Sequence, residues 1–570
     1  MNSMTDSLLA DLVPADIGFD HSLFASYRDI QLQAIEWACE ALEESRFVGL
    51  CLPTGAGKSL AASSVARLMK KRAVFLTITK ALQAQYARDF ARSGLVDVQG
   101  KANYQCVDMN NLNCDGGSKV GCRYLRGKGC EYEKAKAEAR NADQVVTNYA
   151  YWLGVNDKAA GLERTEAEAD FSGENPVELL VLDEAHEADS ILASYISCAL
   201  TEGELKRFGD WPDGEVLKDW KFFANDVLTG LEAEIQTTQQ ELIHLGRRVE
   251  PKHVAVLHQL ERLASKLTRI SQAQGDDWIV ERENKSRWGR QWKFDSVFPG
   301  KYAEKYLFCG VKNVLLMSAT LKPKTMNLLG LKTGEFKYRA WKRIFAANRH
   351  PVYMVGAKKA DGKTVRVDYN TSKEDMLTFV RWMDDEWIKP RLDRKGLILT
   401  VSYARQQFLM EHSRYAGIMI GNTGESDSDT AMEAAERFRV ADAPALLVSP
   451  SFGTGWDFPG EQCEYIMLIK VPFESMTSKV LKARVSRDPN YANYRAMQKV
   501  EQAIGRGMRF DRDRCEILLA CGHFEWFLYK NKSLAQDWFV DSVRRLPRVP
   551  PPPKSLREEG QDKGSKTGQK

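Results

Sequence analysis

The stretch FVGLCLPTGAGKS, residues 47–59, decides the fold of this 570-residue chain. Its first six residues form an apolar run of strand length, which breaks at Pro53 and Gly55, and a helical pattern follows from Lys58. A strand, a loop and a helix in this order allow backbone N–H groups and a helix N-terminus to converge on phosphate oxygens. Lys58 can add positive charge at the outer phosphates, and the Ser59 hydroxyl can ligate Mg²⁺. The stretch therefore predicts a nucleotide site in an α/β fold.

We expect the whole phosphate loop to contact the nucleotide. The strict motif has glycine where Leu52 stands, so a chance match is the alternative. The strand–loop–helix setting favours the functional interpretation. The predicted cofactor-binding residues of the loop are Thr54, Gly55, Ala56, Gly57, Lys58 and Ser59.

Two adjacent carboxylates follow another apolar run, residues 179–182. Asp183 and Glu184 would be costly at the end of a buried strand if their role were only structural. Beside a nucleotide, Asp183 can hold Mg²⁺, and Glu184 can orient and deprotonate the attacking water. Acids on a surface loop are the alternative, but the phosphate loop upstream favours the catalytic interpretation.

Short apolar runs recur along the chain and fall into two groups, before and after about residue 345. Because helical stretches separate them, they predict doubly wound α/β units with buried parallel strands. A chain of this length is also too long for one core. Besides 47–52 and 179–182, the predicted strands are residues 73–78, 314–317, 396–401, 445–448 and 465–469.

Composition places further limits on function. The formal net charge of +4 is small for this length, so any surface for nucleic acid must be local. The N-terminus has no basic segment before its short apolar stretch, and the sequence has no run of 18 apolar residues. We therefore expect neither a signal peptide nor a membrane span, and a cytoplasmic protein whose thiols stay reduced.

Four of the 11 cysteines stand at one unvarying interval: Cys106, Cys114, Cys122 and Cys130. In a reducing compartment such a block is more often a metal site than a set of disulfides. Structural zinc sites usually pair their ligands as C-x₂₋₄-C, which is not seen here. A [4Fe–4S] cluster also takes four thiolates and can be reached from wider loops. The residues alone leave both metals open, with iron–sulfur modestly ahead.

A third group of candidate catalytic residues lies in QAIGRGMR, residues 502–509. Gln502, Arg506 and Arg509 are spaced by four and three, so on a helix they share a face. Two arginines can neutralise charge on a transferring phosphoryl group. The alternative is a solvated helix that forms surface ion pairs.

Three other segments differ in their residue pattern from the alternating strands and helices. Apolar residues between 228 and 270 recur at helical spacing, stop at Gly246 and resume after Pro251, which predicts a helical hairpin. The aromatic and basic stretch 278–292 either lines a DNA channel or forms a β-hairpin with its tryptophans packed inward. Its candidate residues are Trp278, Arg287, Trp288, Arg290 and Trp292. Residues 546–570 are rich in Pro, Gly and Lys, so we expect a disordered tail.

The order of these motifs resembles that of the XPD/DinG-type iron–sulfur DNA helicases of superfamily 2. Arg28 and Gln31 resemble the Arg-x-x-Gln element, in which the Gln helps to read adenine. Residues 79–90, TKALQAQYARDF, resemble motif Ia, which contacts DNA, and MSATL at 317–321 resembles motif III. The resemblance implies that the first motor domain contacts DNA near motif Ia. The candidate residues are Lys80, Gln83 and Tyr86.

The second half of the chain continues the resemblance. Gly455 and Asp457 lie in a stretch that resembles motif V, and residues 502–509 resemble motif VI. The cysteine block lies between motifs Ia and II, and a long insertion separates motifs II and III. Both features distinguish this family from DEAH-type RNA helicases, and the basic residues around the cysteines would touch DNA phosphates. These are Lys101, Lys119, Arg123, Arg126 and Lys128.

The resemblance implies an α/β fold with two RecA-like motor domains, an inserted Cys-ligated iron–sulfur domain and an inserted helical Arch-like domain. The first motor domain would comprise residues 1–102, 143–195 and 301–344. The implied insertions are the cluster domain at 103–142 and the Arch-like domain at 196–300. The second motor domain would be 345–545.

The implied activity is ATP-driven movement on single-stranded DNA, 5′ to 3′, with separation of forked duplex, as in DNA repair helicases. ATP and Mg²⁺ would bind between Lys58, Asp183 and Glu184 on one side and Arg506 and Arg509 on the other, with closure and reopening driving the motor. The family position favours a [4Fe–4S] cluster over zinc. We expect a monomer without a membrane contact. A DNA-stimulated translocase that remodels protein–DNA complexes and an accessory subunit with a vestigial motor are the alternatives.

Overall fold

The computed structural model describes residues 11–124, 129–161, 176–285, 289–342, 344–346, 348–422, 428–453, 456–509 and 512–559. Within these ranges the chain forms two compact units. The first comprises Met1–Leu52, Gly57–Ala340 and Met476–Arg484, and the second comprises Pro53–Ala56, Trp341–Ser475 and Val485–Lys570. Five candidate residues lie outside the described ranges: Arg126, Lys128, Arg287, Trp288 and Gly455.

Ten strands belong to the first unit. In chain order they are β1 (Phe47–Cys51), β2 (Ala73–Thr77), β3 (Leu95–Asp97), β4 (Gln144–Asn148), β5 (Leu179–Leu182), β6 (Cys198–Thr201), β7 (Trp278–Lys285), β8 (Gly289–Ser296), β9 (Asn313–Ser318) and β10 (Phe336–Ala340). Seven of them form one parallel sheet in the order β10-β1-β9-β5-β2-β4-β3. The other three form an antiparallel sheet in the order β6-β8-β7.

The apolar runs of the sequence correspond to the central strands of the parallel sheet. Every residue of β1, β2, β5 and β9 is buried, as expected for parallel strands covered on both faces. Cys51 is opposite Ser318 in the register, and Leu182 is opposite Leu316. The carboxyl ends of β1, β9 and β5 therefore meet at one edge, which carries the phosphate loop and the acid pair.

The helices of the first unit cover this sheet and form the inserted segments. They are α1 (Asp29–Glu44), α2 (Lys58–Leu68), α3 (Lys80–Phe90), α4 (Cys114–Lys119), α5 (Glu131–Asn141), α6 (Tyr149–Gly161), α7 (Ala188–Ile196), α8 (Glu202–Leu205), α9 (Leu217–Leu245), α10 (Pro251–Gln272) and α11 (Pro323–Leu328). None of the helices in the described ranges combines the length and the apolar character that a membrane crossing needs.

The predicted helical hairpin is formed by α9 and α10. Gly246 follows the last residue of α9 with a φ of 56°, and Pro251 is the first residue of α10, where its missing N–H has no helical partner to lose. Leu231 and Leu242 of α9 are buried, and so are the leucines and the isoleucine that face them from α10. The spacing of the apolar residues predicted these helices because their buried face follows the helical period.

Trp278 and Trp292 pack inward, so the β-hairpin interpretation is the one that holds for β7 and β8. Trp292 is fully buried against Trp220, with ring centroids 5.4 Å apart, and Trp278 is 8% exposed. Arg290 forms ion pairs with Glu202 and Asp213. The indole rings of Trp278 and Trp292 are therefore part of a core and are not available to stack on DNA bases.

A second parallel sheet forms the centre of the second unit. Its strands are β11 (Val352–Met354), β12 (Lys395–Leu399), β13 (Met419–Ile420), β14 (Ala445–Ser449), β15 (Tyr465–Leu468), β16 (Glu516–Leu519) and β17 (Val543–Arg545), in the order β13-β14-β12-β15-β16-β11-β17. The helices of the chain's second half are α12 (Lys373–Trp382), α13 (Tyr403–His412), α14 (Ser428–Val440), α15 (Lys479–Arg487), α16 (Tyr491–Ile504), α17 (Gly522–Asn531) and α18 (Asp537–Ser542). The prediction of two parallel α/β units is confirmed.

The C-terminal segment differs from the predicted disordered tail over residues 546–559. The carbonyl of Pro550 accepts a hydrogen bond from Arg391, and that of Pro553 accepts one from Arg394. Glu559 forms ion pairs with Arg349 and Arg514. Composition alone predicted disorder because the segment has few apolar residues. The segment is instead held by hydrogen bonds from arginines that are distant in the sequence to its backbone carbonyls. Residues 560–570 lie outside the described residues.

A buried ion pair provides a stability test for the second unit. Both Arg391 and Glu516 have fully buried side chains, and two hydrogen bonds of 2.9 and 3.0 Å join them. Arg391→Met leaves Glu516 charged and unpaired, which costs about 3–5 kcal/mol in other buried pairs. We expect a clear loss of unfolding free energy in urea titration. The exposed Arg381→Met on α12 is the control; equal stability of the two variants would contradict the prediction.

Candidate active site

The phosphate loop is positioned by the end of β1 and the start of α2. Gly57 is the residue before the helix and has a φ of 77°, and Gly55 has a φ of 81°. Both are in the left-handed region, which residues other than glycine rarely adopt. A Cβ atom on Gly57 would also collide with the side chain of Gln31. The loop therefore has the backbone freedom that a phosphate cradle at a helix N-terminus needs.

The predicted adenine-reading pair lies beside this loop. Gln31 is 5% exposed, and its Nε2 lies 3.3 Å from the carbonyl oxygen of Gly57, to which it donates. Its Oε1 accepts from the backbone N–H of Arg28 at 2.8 Å, which caps the start of α1. The two residues thus link the first helix to the phosphate loop.

Asp183 is held at the end of β5 by hydrogen bonds to both of its carboxylate oxygens. Oδ1 accepts from the backbone N–H of Glu184, and Oδ2 accepts from the hydroxyl of Tyr86, both at 2.8 Å. The Tyr149 hydroxyl donates to the backbone carbonyl of Asp183 at 3.0 Å. Burial, with the charge of Glu184 second, raises the pKa of Asp183 to about 6, whereas the charge of Lys58 lowers it.

Glu184 is connected to the strand that carries motif III. It has a φ of 48°, in the left-handed region of backbone conformation. The Ser318 hydroxyl donates to Glu184 Oε2 at 3.1 Å and lies 2.8 Å from Nδ1 of His186. The Ser318 oxygen also accepts from the backbone N–H of Thr320 at 3.2 Å. The sequence provided little indication of a role for this serine. It lies near the acid pair because β9 and β5 are neighbours in the sheet.

Two of the three predicted DNA contacts of motif Ia are wrong. Gln83 is fully buried and bonded to Asp97 and to the carbonyl of Val98, and Tyr86 is 1% exposed. Positions 83, 86 and 90 follow the helical period and form the buried face of α3. Lys80, at the start of the helix, is exposed and bonds to Asn103. Among the three candidates, Lys80 alone is accessible to DNA.

The predicted shared helix face of Gln502, Arg506 and Arg509 is not formed. Helix α16 ends at Ile504, because the chain tightens into a 3₁₀ turn over Gly505–Gly507. Gln502 still contacts Arg506, with its Oε1 at 3.3 Å from the guanidinium. The two arginines meet instead at a carboxylate of the motif V segment.

Asp457 is the shared partner of both arginines in the second unit. Arg509 forms an ion pair with one carboxylate oxygen, and Arg506 lies 3.9 Å from the other. Arg506 also donates to the carbonyls of Gly453 and Trp456 at 3.3 and 3.1 Å. Motifs V and VI therefore form one charged cluster, which the sequence could not predict because the partner lies about 50 residues away.

All four cysteines of the block line one small pocket, together with Lys101 and Tyr124. Their sulfurs form two close pairs: Cys106 with Cys122 at 3.7 Å, and Cys114 with Cys130 at 3.6 Å. All four are free thiols. Burial, followed by the neighbouring Cys130 thiol, raises the pKa of Cys114 to about 12, so this thiol is neutral unless a cation deprotonates it.

The cysteine segment packs against the helical hairpin of the same unit. Met109, Leu112 and Val120 share a core with residues of α9 and α10. Two polar contacts join α4 to α10: Lys119 pairs with Glu261, and Asp115 Oδ2 lies 3.0 Å from His258 Nε2. The two insertions therefore support each other. Because Lys119 is paired with Glu261, it is a poorer candidate for binding DNA phosphates than the sequence indicated.

Comparison with known proteins identifies the class to which this architecture belongs. Residues 389–535 match the helicase C-terminal domain family, and residues 25–201 match the family of the type III restriction enzyme res subunit. A search of curated proteins finds no sequence match.

Solved structures match the fold over nearly the whole chain. An XPD helicase superposes with a TM-score of 0.60 and 17% identity, over 91% of this chain and 100% of its own. Apo XPD gives 0.56 and 16% over 90% and 100%, and S. tokodaii Xpd4 gives 0.55 and 12% over 91% and 100%. At such identities these likenesses concern the fold.

The two family matches and the motifs inside them define a superfamily 2 helicase, an ATP-dependent enzyme. Its fold is similar to that of the XPD helicases. The resemblance inferred from the motifs is thereby confirmed as far as an ATP-dependent helicase with this fold, and its iron–sulfur part stays a prediction.

Proposed function

We propose that this helicase moves 5′ to 3′ on single-stranded DNA and unwinds duplex ahead of it. The observation that carries the proposal is the convergence of four cysteines, spread over residues 106–130, on one pocket. This segment is inserted between motifs Ia and II, where the XPD/DinG-type DNA helicases carry their cluster. The long insertion between motifs II and III, with its helical hairpin, supports the same assignment as an Arch-like domain.

The position of the segment between motifs Ia and II supports a [4Fe–4S] cluster over zinc, whereas the spacing of the thiols does not separate the two metals. One tetrahedral zinc needs four sulfurs about 2.3 Å from a single point, hence about 3.8 Å from one another. Each cysteine pair has that spacing, but in the described part of the chain no group of three or more His, Cys, Asp or Glu side chains is arranged around one ion. In a [4Fe–4S] cluster each thiolate binds a different iron, so the two close pairs would have to open to hold it.

The proposed ligands are Cys106, Cys114, Cys122 and Cys130. When bound, the cluster supplies four metal–thiolate bonds that cross-link the segment. The cysteine segment has only a small apolar core, most of which it shares with the hairpin. Its order therefore depends on the metal and on the hairpin together. Lys101, which lines the same pocket, and Arg123 remain the candidates for DNA phosphates in the segment.

We assign the nucleotide chemistry to the phosphate loop, the acid pair and the residues of motif VI. Lys58 and the backbone of the phosphate loop bind the phosphates, Ser59 and Asp183 hold Mg²⁺, and Glu184 activates water. Arg506 and Arg509 stabilise charge on the transferring phosphoryl group, with Gln502 supporting Arg506. The residues proposed to contact adenine are Arg28 and Gln31. The residues of motif V proposed to contact the nucleotide are Gly455 and Asp457.

Release of both arginines from Asp457 would accompany nucleotide binding. A carboxylate and a phosphate compete for the same guanidinium groups, and a triphosphate carries more negative charge. Asp457 thus keeps the arginines ordered before the nucleotide arrives.

Strand displacement on forked DNA tests the proposal. We expect the protein to separate a fork with a 5′ single-stranded tail in the presence of ATP and Mg²⁺, and not a matched fork with a 3′ tail. Lys58→Ala should abolish unwinding and DNA-stimulated ATP hydrolysis, because the outer phosphates lose their cation. Hydrolysis and movement without strand separation would indicate the translocase instead. Retention of biological activity by Lys58→Ala would indicate the accessory subunit.

A further inference from the structure

We propose that Tyr86 is a positioning residue for the Mg²⁺ site, a role that deepens the proposed function at that site. Its hydroxyl donates to Asp183 Oδ2 at 2.8 Å. One buried phenol therefore holds a side chain that is proposed to ligate Mg²⁺. The general metal-site motifs in the sequence do not include this contact.

The ring of Tyr86 is fixed by its surroundings. It is 1% exposed and packs against Phe75 and Phe90, with ring centroids 5.8 Å away in each case. A phenol held in this way cannot move aside without breaking the core of the first unit. Its hydroxyl is therefore a fixed hydrogen-bond donor for the Asp183 carboxylate, at little further entropic cost.

Asp183 has its orientation set by this contact. One carboxylate oxygen accepts from the backbone of Glu184, which follows the strand, and the other accepts from Tyr86. Removing the phenol hydroxyl leaves the carboxylate free to turn about its terminal torsion, which is broad for aspartate. Partners of this kind, which orient a metal ligand without touching the metal, typically change affinity or activity 10- to 100-fold when they are removed.

The geometry predicts that Tyr86→Phe raises the Mg²⁺ concentration needed for half-maximal ATP hydrolysis by about 10-fold. At saturating Mg²⁺, we expect the turnover rate to lie within about threefold of that of the native protein, because Lys58 and Glu184 are untouched. A parallel titration measures Mg²⁺-dependent binding of a fluorescent ATP analogue. This second readout does not depend on DNA, on unwinding or on turnover.

Tyr149→Phe is the matched control. Tyr149 is equally buried, and its hydroxyl donates to Asp183 as well, but to the backbone carbonyl and not to the carboxylate. Both variants lose one buried hydrogen bond to the same residue, so a general loss of stability should affect them alike. Thermal unfolding without metal measures that loss directly.

Three results decide the proposal. A selective shift of the Mg²⁺ dependence in Tyr86→Phe, absent from Tyr149→Phe, supports it. An unchanged Mg²⁺ dependence in Tyr86→Phe, or an equal shift in both variants, overturns it. Failure of the native protein to unwind forked DNA would overturn the proposed function alone, because the nucleotide-binding titration still reports on Tyr86.

Discussion

Glu184→Gln is expected to lower ATP hydrolysis by about 10²- to 10⁴-fold, the usual contribution of a general base. Glutamine cannot accept a proton from water, but it keeps an oxygen that can accept the Ser318 hydrogen bond seen at 3.1 Å. Lys58 and Asp183 are unchanged, so nucleotide binding should remain close to that of the native protein. A steady-state ATPase assay and a fluorescent-nucleotide titration measure the two quantities separately.

Glu187→Gln is the natural control for this experiment. Glu187 lies three residues further on, and its Oε1 is 3.6 Å from Nε2 of His186, so it belongs to the same polar cluster without following the strand directly. We expect this variant to hydrolyse ATP at close to the native rate. If Glu184→Gln kept native activity, or if both variants lost activity equally, Glu184 would not be the base.

The fold could be predicted from the sequence where buried elements leave a regular pattern of apolar residues. Strands buried on both faces read as continuous apolar runs, and β1, β5 and β9 correspond closely to the predicted ones. The helical hairpin was equally predictable from its stripe of leucines. The phosphate loop and the acid pair follow directly from these strands, because both stand at strand ends.

Side-chain partners that are remote in sequence could not be predicted. Asp457 and Arg509 meet only because the second sheet brings motifs V and VI together. The hydroxyl of Tyr86 reaches Asp183 across about 100 residues of sequence, although one signal was available: Gln83, Tyr86 and Phe90 have the spacing of a buried helix face. Residues 79–90 were assigned to a motif that contacts DNA, so this buried helix face was interpreted as a DNA-binding surface.

Cys114→Ser is expected to abolish unwinding while leaving much of the intrinsic ATPase activity. Cys114 is 7% exposed and starts helix α4, which packs on the hairpin through Lys119 and Asp115. Loss of one thiolate removes a bond from the proposed cluster, so the segment and its contacts with the hairpin should loosen. Lys58 and Asp183 follow strands β1 and β5 at one edge of the parallel sheet of the same unit and should keep their arrangement.

Three measurements separate the parts of this prediction. Iron, acid-labile sulfide and zinc contents of anaerobically purified protein identify the metal, and strand displacement and DNA-free ATP hydrolysis measure the two activities. Cys39→Ser, which changes a half-buried thiol in α1 outside the block, should retain metal and unwinding. Zinc in place of iron in the native protein would contradict the cluster. Duplex separation at the native rate by metal-free Cys114→Ser would show that the segment does not take part in unwinding, because it would then function without the cross-link that its small core requires.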